Sequence, residues 1–189
     1  MILPNLVFVL VVGAFTAVAA VSDLRTRRLP NWLTVPAFAA GLLAHTVVNG
    51  FAGLGFALLG FATGFGLLLV LWLIGGGGGG DVKLMGALGA WLGSSLTVAV
   101  FLASTVVAVV ATAAILLAGM FTRGYSHVHR RYLRPGYTSR FIKTKHPAGS
   151  EEARREAQTK RRVMPYAVPV ALGTWAVLAV AWMAHQLPW

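Results

Sequence analysis

The chain has 189 residues, of which 57% are hydrophobic and 11% charged, and its mean hydropathy is +0.74. That balance excludes a soluble globular domain, which carries about 25% charged residues, and a disordered chain, which needs low hydrophobicity. Cysteine is absent and the formal net charge is +11, so disulfides, thiolate zinc sites and cysteine nucleophiles are excluded. The placement of the basic residues must then decide between a nucleic-acid face and a membrane surface.

A helix needs about 20 mainly apolar residues to cross the bilayer core. In chain order, Ile2 to Val21, Leu33 to Val48 and Phe51 to Ile74 approach that length. They are separated by the polar stretch Arg25 to Asn31 and by Asn49-Gly50, and a glycine run, Gly75 to Gly80, follows the third. Val82 to Met120 is long enough for two spans joined by a turn near Gly93-Ser94-Ser95. After the polar segment Thr122 to Arg162 comes a last apolar stretch, Val163 to Ala184. This pattern predicts an all-α polytopic membrane protein with six transmembrane helices in one domain, residues 1–189, carrying a basic loop at 122–162. Ala17-Val18-Ala19 has the small-x-small form of a cleavage site, but no Lys or Arg precedes the apolar run. The first segment therefore reads as a retained helix rather than a signal peptide.

The sixteen Lys and Arg test the count. Arg25, Arg27 and Arg28 follow the first span, Lys83 follows the third, and the remainder lie between Arg123 and Arg162. These are alternate loops, so the charges share one face. By the positive-inside rule that face is cytoplasmic and both termini are outside. The bilayer is then the expected partner of the basic residues, and nucleic acid is not. From Ser150 the loop reads as a short surface helix, with Glu151/Arg155 and Glu156/Lys160 spaced i,i+4, lying near anionic headgroups. His127 and His129 lack the acidic or thiolate company of a metal centre, so neither a metal nor a cofactor is expected.

Only five acids exist. Glu151, Glu152 and Glu156 belong to the surface helix, which leaves Asp23 and Asp81 as the carboxylates next to the bundle. Asp23 ends the first span, and Asp81 closes the glycine run and opens the fourth, where it can cap the helix. Both fall on the cytoplasmic face. Ionisable groups at bundle depth are costly and mark function by default. Two carboxylates can divide the work of hydrolysis, one activating water as base and the other protonating a carbonyl oxygen as acid. The spacing leaves open which does which, because the helix dipoles and Arg25, Arg27 and Arg28 push in opposite directions. A proton-coupled transporter could use the same pair as a relay, although its acids more often lie near the bilayer midplane.

Three segments carry a resemblance. Ser22-Asp23-Leu24-Arg25-Thr26-Arg27-Arg28-Leu29-Pro30-Asn31 resembles the first signature of the type IV prepilin peptidase family, with Leu29 where Ile is commoner. Gly78-Gly79-Gly80-Asp81-Val82-Lys83-Leu84-Met85 resembles the second, G-x-G-D followed by x-K-L, and Met164-Pro165-Tyr166-Ala167-Val168-Pro169 resembles the start of the last helix. The resemblance implies a membrane aspartic endopeptidase of the bacterial inner membrane. It would remove the basic leader of prepilins or prepilin-like proteins of pilus and secretion systems at the cytoplasmic face. It also implies that Asp23 and Asp81 are catalytic, with Arg25, Pro30, Asn31, Gly78, Gly80 and Lys83 as supporting motif positions. Larger members carry a cysteine-containing N-terminal region and N-methylate the new pilin terminus. This Cys-free chain is similar to the small peptidase-only, tight-adherence-like members, for which methyl transfer is not expected. A related G-x-G-D protease acting on other signal or preflagellin-like precursors shares the same motifs.

Overall fold

The computed structural model describes residues 2–26, 29–74, 78–123, 166–185 and 187–188. Arg27, Arg28, Gly75 to Gly77, His127, His129 and the surface helix expected from Ser150 lie outside the described residues. Within them the chain is helical: α1 (Ile2–Thr26), α2 (Asn31–Leu73), α3 (Gly79–Arg123) and α4 (Ala167–Met183). Three of these are long and apolar enough to cross a membrane, and α4 is a shorter apolar helix.

The two longest helices are not straight rods. At 43 residues, α2 would run about 65 Å as a single rod, roughly twice the hydrocarbon core. Its path breaks at Gly50, which takes φ 59° and ψ −141°, a conformation closed to most side-chain-bearing residues. The chain then reverses. Gly53 lies against the carbonyl of His45, and the rings of Phe38 and Phe61 meet with centroids 4.6 Å apart. In α3 the same device operates at Gly93 (φ 72°, ψ 178°), where Phe56 covers the backbone so closely that no Cβ fits. Thr97 donates its hydroxyl to the Gly93 carbonyl. Both breaks fall at positions where the sequence analysis expects a turn.

Pairing follows from which residues meet. Gly41 and His45 lie beside Trp91, and Asn31 beside Lys83, so 31–49 and 79–92 run in the same direction. Gly60 meets Gly89 and Gly64 meets Met85, so 51–73 runs opposite to 79–92. A Cβ on Gly60 would overlap the Gly89 carbonyl oxygen, and one on Gly89 the Gly60 oxygen. These small residues let the backbones touch, the close packing that replaces hydrophobic drive inside a bilayer. Gly66, on the same helix, has nothing within 4 Å. Helices α1 and α4 are antiparallel: the Trp175 indole donates to Thr16 Oγ1 at 3.0 Å, and Ala167 N–H reaches Asp23. The core is centred on 82–92, where Leu84, Met85, Leu88 and Leu92 are fully buried.

Residues 1–107 and 165–189 form one compact unit and 108–164 a second. Of the second, 108–123 are described as the end of α3, with Val109, Val110 and Leu117 exposed.

Candidate active site

The first aspartate sits on α1. That helix continues to Thr26, three residues beyond the end expected from the charge pattern, so Asp23 lies inside its last turn rather than at its terminus. Arg25 follows in the same turn and is exposed. Continuation is inexpensive because Thr26 returns its hydroxyl to the Ser22 carbonyl at 2.8 Å. Asp23 itself is 1% exposed. Its Oδ2 accepts the backbone N–H of Ala167, the first residue of α4, at 3.1 Å. A buried carboxylate without donors is costly, and here the donor comes from the free N–H groups at a helix start. The C-terminal end of α1 and the N-terminal end of α4 therefore impose opposed dipoles on one side chain.

The second aspartate is placed by glycine. Helix α3 starts at Gly79, two residues before the start expected at Asp81, so Asp81 is the third helical residue rather than the cap. From there its Oδ2 reaches back to the Gly78 N–H at 3.1 Å, while Asp81 N–H donates to the Gly78 carbonyl at 2.9 Å. This reciprocal pair is the acidic half of a capping box. Asp81 is 4% exposed.

The two signature segments pack on one another. A Cβ on Gly80 would meet Leu29 Cβ at 3.3 Å, which is why no larger residue fits easily there. Lys83 Nζ donates to Asn31 Oδ1 at 3.0 Å. Pro30, with φ −74° and ψ 142°, precedes α2 as its cap residue, and its carbonyl accepts Leu33 N–H at 3.1 Å. Asp23, Leu29, Asn31, Gly80, Asp81, Lys83 and Ala167 thus collect at one end of the unit. His45, Trp91 and Gly93 mark the opposite end. The Trp91 indole donates to the Ala37 carbonyl at 2.8 Å. Buried His45 donates from Nε2 to the Trp91 carbonyl at 3.0 Å.

Sequence reasoning passed over Ser104 and Tyr166. Ser104 lies in an apolar span, is 0% exposed, and donates to the Phe101 carbonyl at 2.9 Å. Tyr166, noted only as part of a proline-containing helix start, is the residue that precedes α4, next to Ala167, whose N–H reaches Asp23. Ser104 stands on α3 and Tyr166 at the start of α4, 62 residues apart in sequence, so no local pattern joins them. Among the described residues no cluster of His, Cys, Asp and Glu could hold a metal. A groove of about 350 Å³ between α1 and α4 is lined by Val9, Gly13, Trp175, Leu178, Trp182 and their neighbours and offers no chemistry.

Residues 10–113, more than half of the chain, match the type IV leader peptidase family. The chain is similar to the prepilin leader peptidase/N-methyltransferase of Aeromonas hydrophila, 42% identical over 50% of this chain and 35% of that protein. It is similar to that of Neisseria gonorrhoeae at 36% identity over 51% and 36%, and to that of Bacillus subtilis at 33% over 64% and 47%. The matched stretch is thus about a third to a half of the length of these relatives. No solved structure matches. With both signature segments packed at one end of an apolar helical unit and the match spanning most of that unit, the chain belongs to the type IV leader peptidase family.

Proposed function

We propose that the chain is a membrane aspartic endopeptidase that removes the basic leader of type IV prepilins or prepilin-like proteins, with Asp23 and Asp81 as its acid–base pair. The observation that carries the reading is the packing of the two signature segments, Leu29 on Gly80 and Asn31 on Lys83, which puts two buried acids at one end of the bundle. In the reaction, one carboxylate takes a proton from water as the water oxygen attacks the scissile carbonyl carbon. The other, protonated, donates to the carbonyl oxygen. The tetrahedral intermediate then expels the amine, which takes a proton from the first carboxyl, while a hydroxyl proton of the intermediate returns to the second carboxylate as the new carbonyl forms. Asp23 is held by Ala167 N–H and Asp81 by Gly78 N–H.

The six-span topology belongs to this reading: α2 and α3 each cross twice, turning at Gly50 and Gly93. The Arg25, Lys83 and Arg123 to Arg162 side is cytoplasmic, the termini are outside, and the site faces the cytoplasm of the inner membrane. Both acids then stand where a leader could be presented from the cytoplasm, which favours proteolysis over a transport relay. Arg25, Pro30, Gly78 and Gly80 support the two loops, and no methyl transfer is assigned to the chain.

The test is co-expression with a type IV prepilin whose leader is followed by its shift on a gel. Asp23→Asn and Asp81→Asn should each abolish cleavage while the protein still inserts, and the double variant should be no worse than either, as for residues that act as a unit. Cleavage surviving in either variant refutes the pair. Proton flux lost in both without any proteolysis in the parent moves the chain to transport.

A further inference from the structure

Two hydrogen bonds tie α1 to α4, and they lie about two helical turns apart. At the end that holds the site, Asp23 Oδ2 accepts the Ala167 N–H at 3.1 Å. Further along the pair, Thr16 Oγ1 accepts the Trp175 indole N–H at 3.0 Å. The partners are seven residues apart on α1 and eight on α4, so one antiparallel register satisfies both bonds.

The chemistry of the Thr16–Trp175 bond makes it directional. Thr16 is 1% exposed, and its hydroxyl proton is shared between the Val12 and Gly13 carbonyls, each at 2.9 Å. The oxygen is thereby left to the indole, which in an apolar span has no water to bond instead. The ring also lies along α1, since a Cβ on Gly13 would stand 3.9 Å from Trp175 Nε1. Val12 and Ala19 of α1 and Val170 and Leu178 of α4 are buried and apolar. Such packing alone holds register weakly in a bilayer, because lipid tails are as apolar as the side chains. A polar contact within an apolar seam is what fixes it. A slip of one residue moves the α4 backbone by about 1.5 Å and turns it by about 100°, which takes the Ala167 N–H off Asp23.

We infer that Thr16 and Trp175 are positioning residues of the peptidase: their hydrogen bond sets the register of α4 on α1 that delivers the Ala167 N–H to Asp23. The inference rests on the proposed peptidase reading. The pair stands about two turns from Asp23 and acts on the reaction only through it. Loss of the bond should therefore lower turnover and leave substrate binding alone.

The experiment uses the full chain in detergent with a purified type IV prepilin, leader intact, as probe. Thr16→Val keeps the shape of the side chain and removes the acceptor, and Trp175→Phe removes the donor from the other helix. Each should lower kcat about threefold to tenfold, the effect of one interhelical hydrogen bond lost in a membrane protein, with KM within about twofold of the parent. The double variant should be no slower than the worse single. Thr16→Ser, which keeps the oxygen, should recover kcat to within about twofold of the parent. Parent-like kcat in either Thr16→Val or Trp175→Phe overturns the inference and leaves the peptidase reading standing. Additive losses in the double variant do the same, as does a loss in Thr16→Ser equal to that in Thr16→Val, which assigns the effect to packing. A change confined to KM overturns it by placing the pair on the substrate. If the variants do not fold, the role is structural and the inference fails. A parent that leaves the prepilin uncut, or an Asp23→Asn variant that cuts it, removes the peptidase reading and this inference with it.

Discussion

Lys83 Nζ donates to Asn31 Oδ1 at 3.0 Å across 52 residues of sequence, so the lysine that follows the second aspartate is tied to the asparagine that closes the first signature. The bond is exposed, which limits its contribution to stability to under about 1 kcal/mol. Its effect should appear in activity instead. Lys83→Met and Asn31→Ala should each slow leader cleavage several-fold, and the double variant should be no slower than the worse single, the mark of a shared contact. Additive losses would show that the two residues act separately.

The contact between Leu29 and Gly80 can be tested without any substrate. The chain has no cysteine, so Leu29→Cys with Gly80→Cys introduces a single pair. With Cβ positions 3.3 Å apart, close to the roughly 3.5–4.5 Å of natural disulfides, the pair should oxidise readily and run as a cross-linked band after proteolysis between them. Leu29→Cys with Gly79→Cys is the control, since Gly79 has nothing within 4 Å. Equal cross-linking of both pairs would refute the packing.

Glycines of identical appearance should respond differently to alanine. At Gly60 a Cβ would overlap the Gly89 carbonyl oxygen, and overpacking of this kind costs about 1–3 kcal/mol or more. Gly60→Ala should therefore lower the unfolding temperature sharply. Gly66 is open, so Gly66→Ala should be neutral or stabilising by up to about 1 kcal/mol through helix propensity. Thermal unfolding in one detergent distinguishes them, and a reversed order would mean that the paired helices are not 51–73 and 79–92.

Orientation has its own test. Asn49 and Ser94, both exposed beside the two helix breaks, should react as single cysteines with an impermeant thiol reagent added to intact cells. Ser139, inside the basic loop, should react only after the membrane is opened. Labelling of Ser139 in sealed cells would invert the proposed topology.

Sequence by itself determined the helices and their breaks, because hydropathy acts residue by residue and a lipid-exposed backbone has no alternative to helix. Gly50 and Gly93 were legible for a related reason: polar neighbours marked a turn, and only glycine takes its conformation cheaply. It also singled out Asp23 and Asp81, since acids beside a bundle are rare enough to stand out. Tertiary structure decided what those acids touch. Asp23 finds its donor in Ala167, 144 residues away, and Asp81 turns back to Gly78 because α3 begins two residues early. Ser104 meets Gly173 only through packing of α4 on α3, and no local pattern encodes a contact between residues on separate helices. The same holds for the glycines: Gly60 and Gly66 look alike in sequence, and only the path of the neighbouring backbone makes one a point of contact and leaves the other in open space.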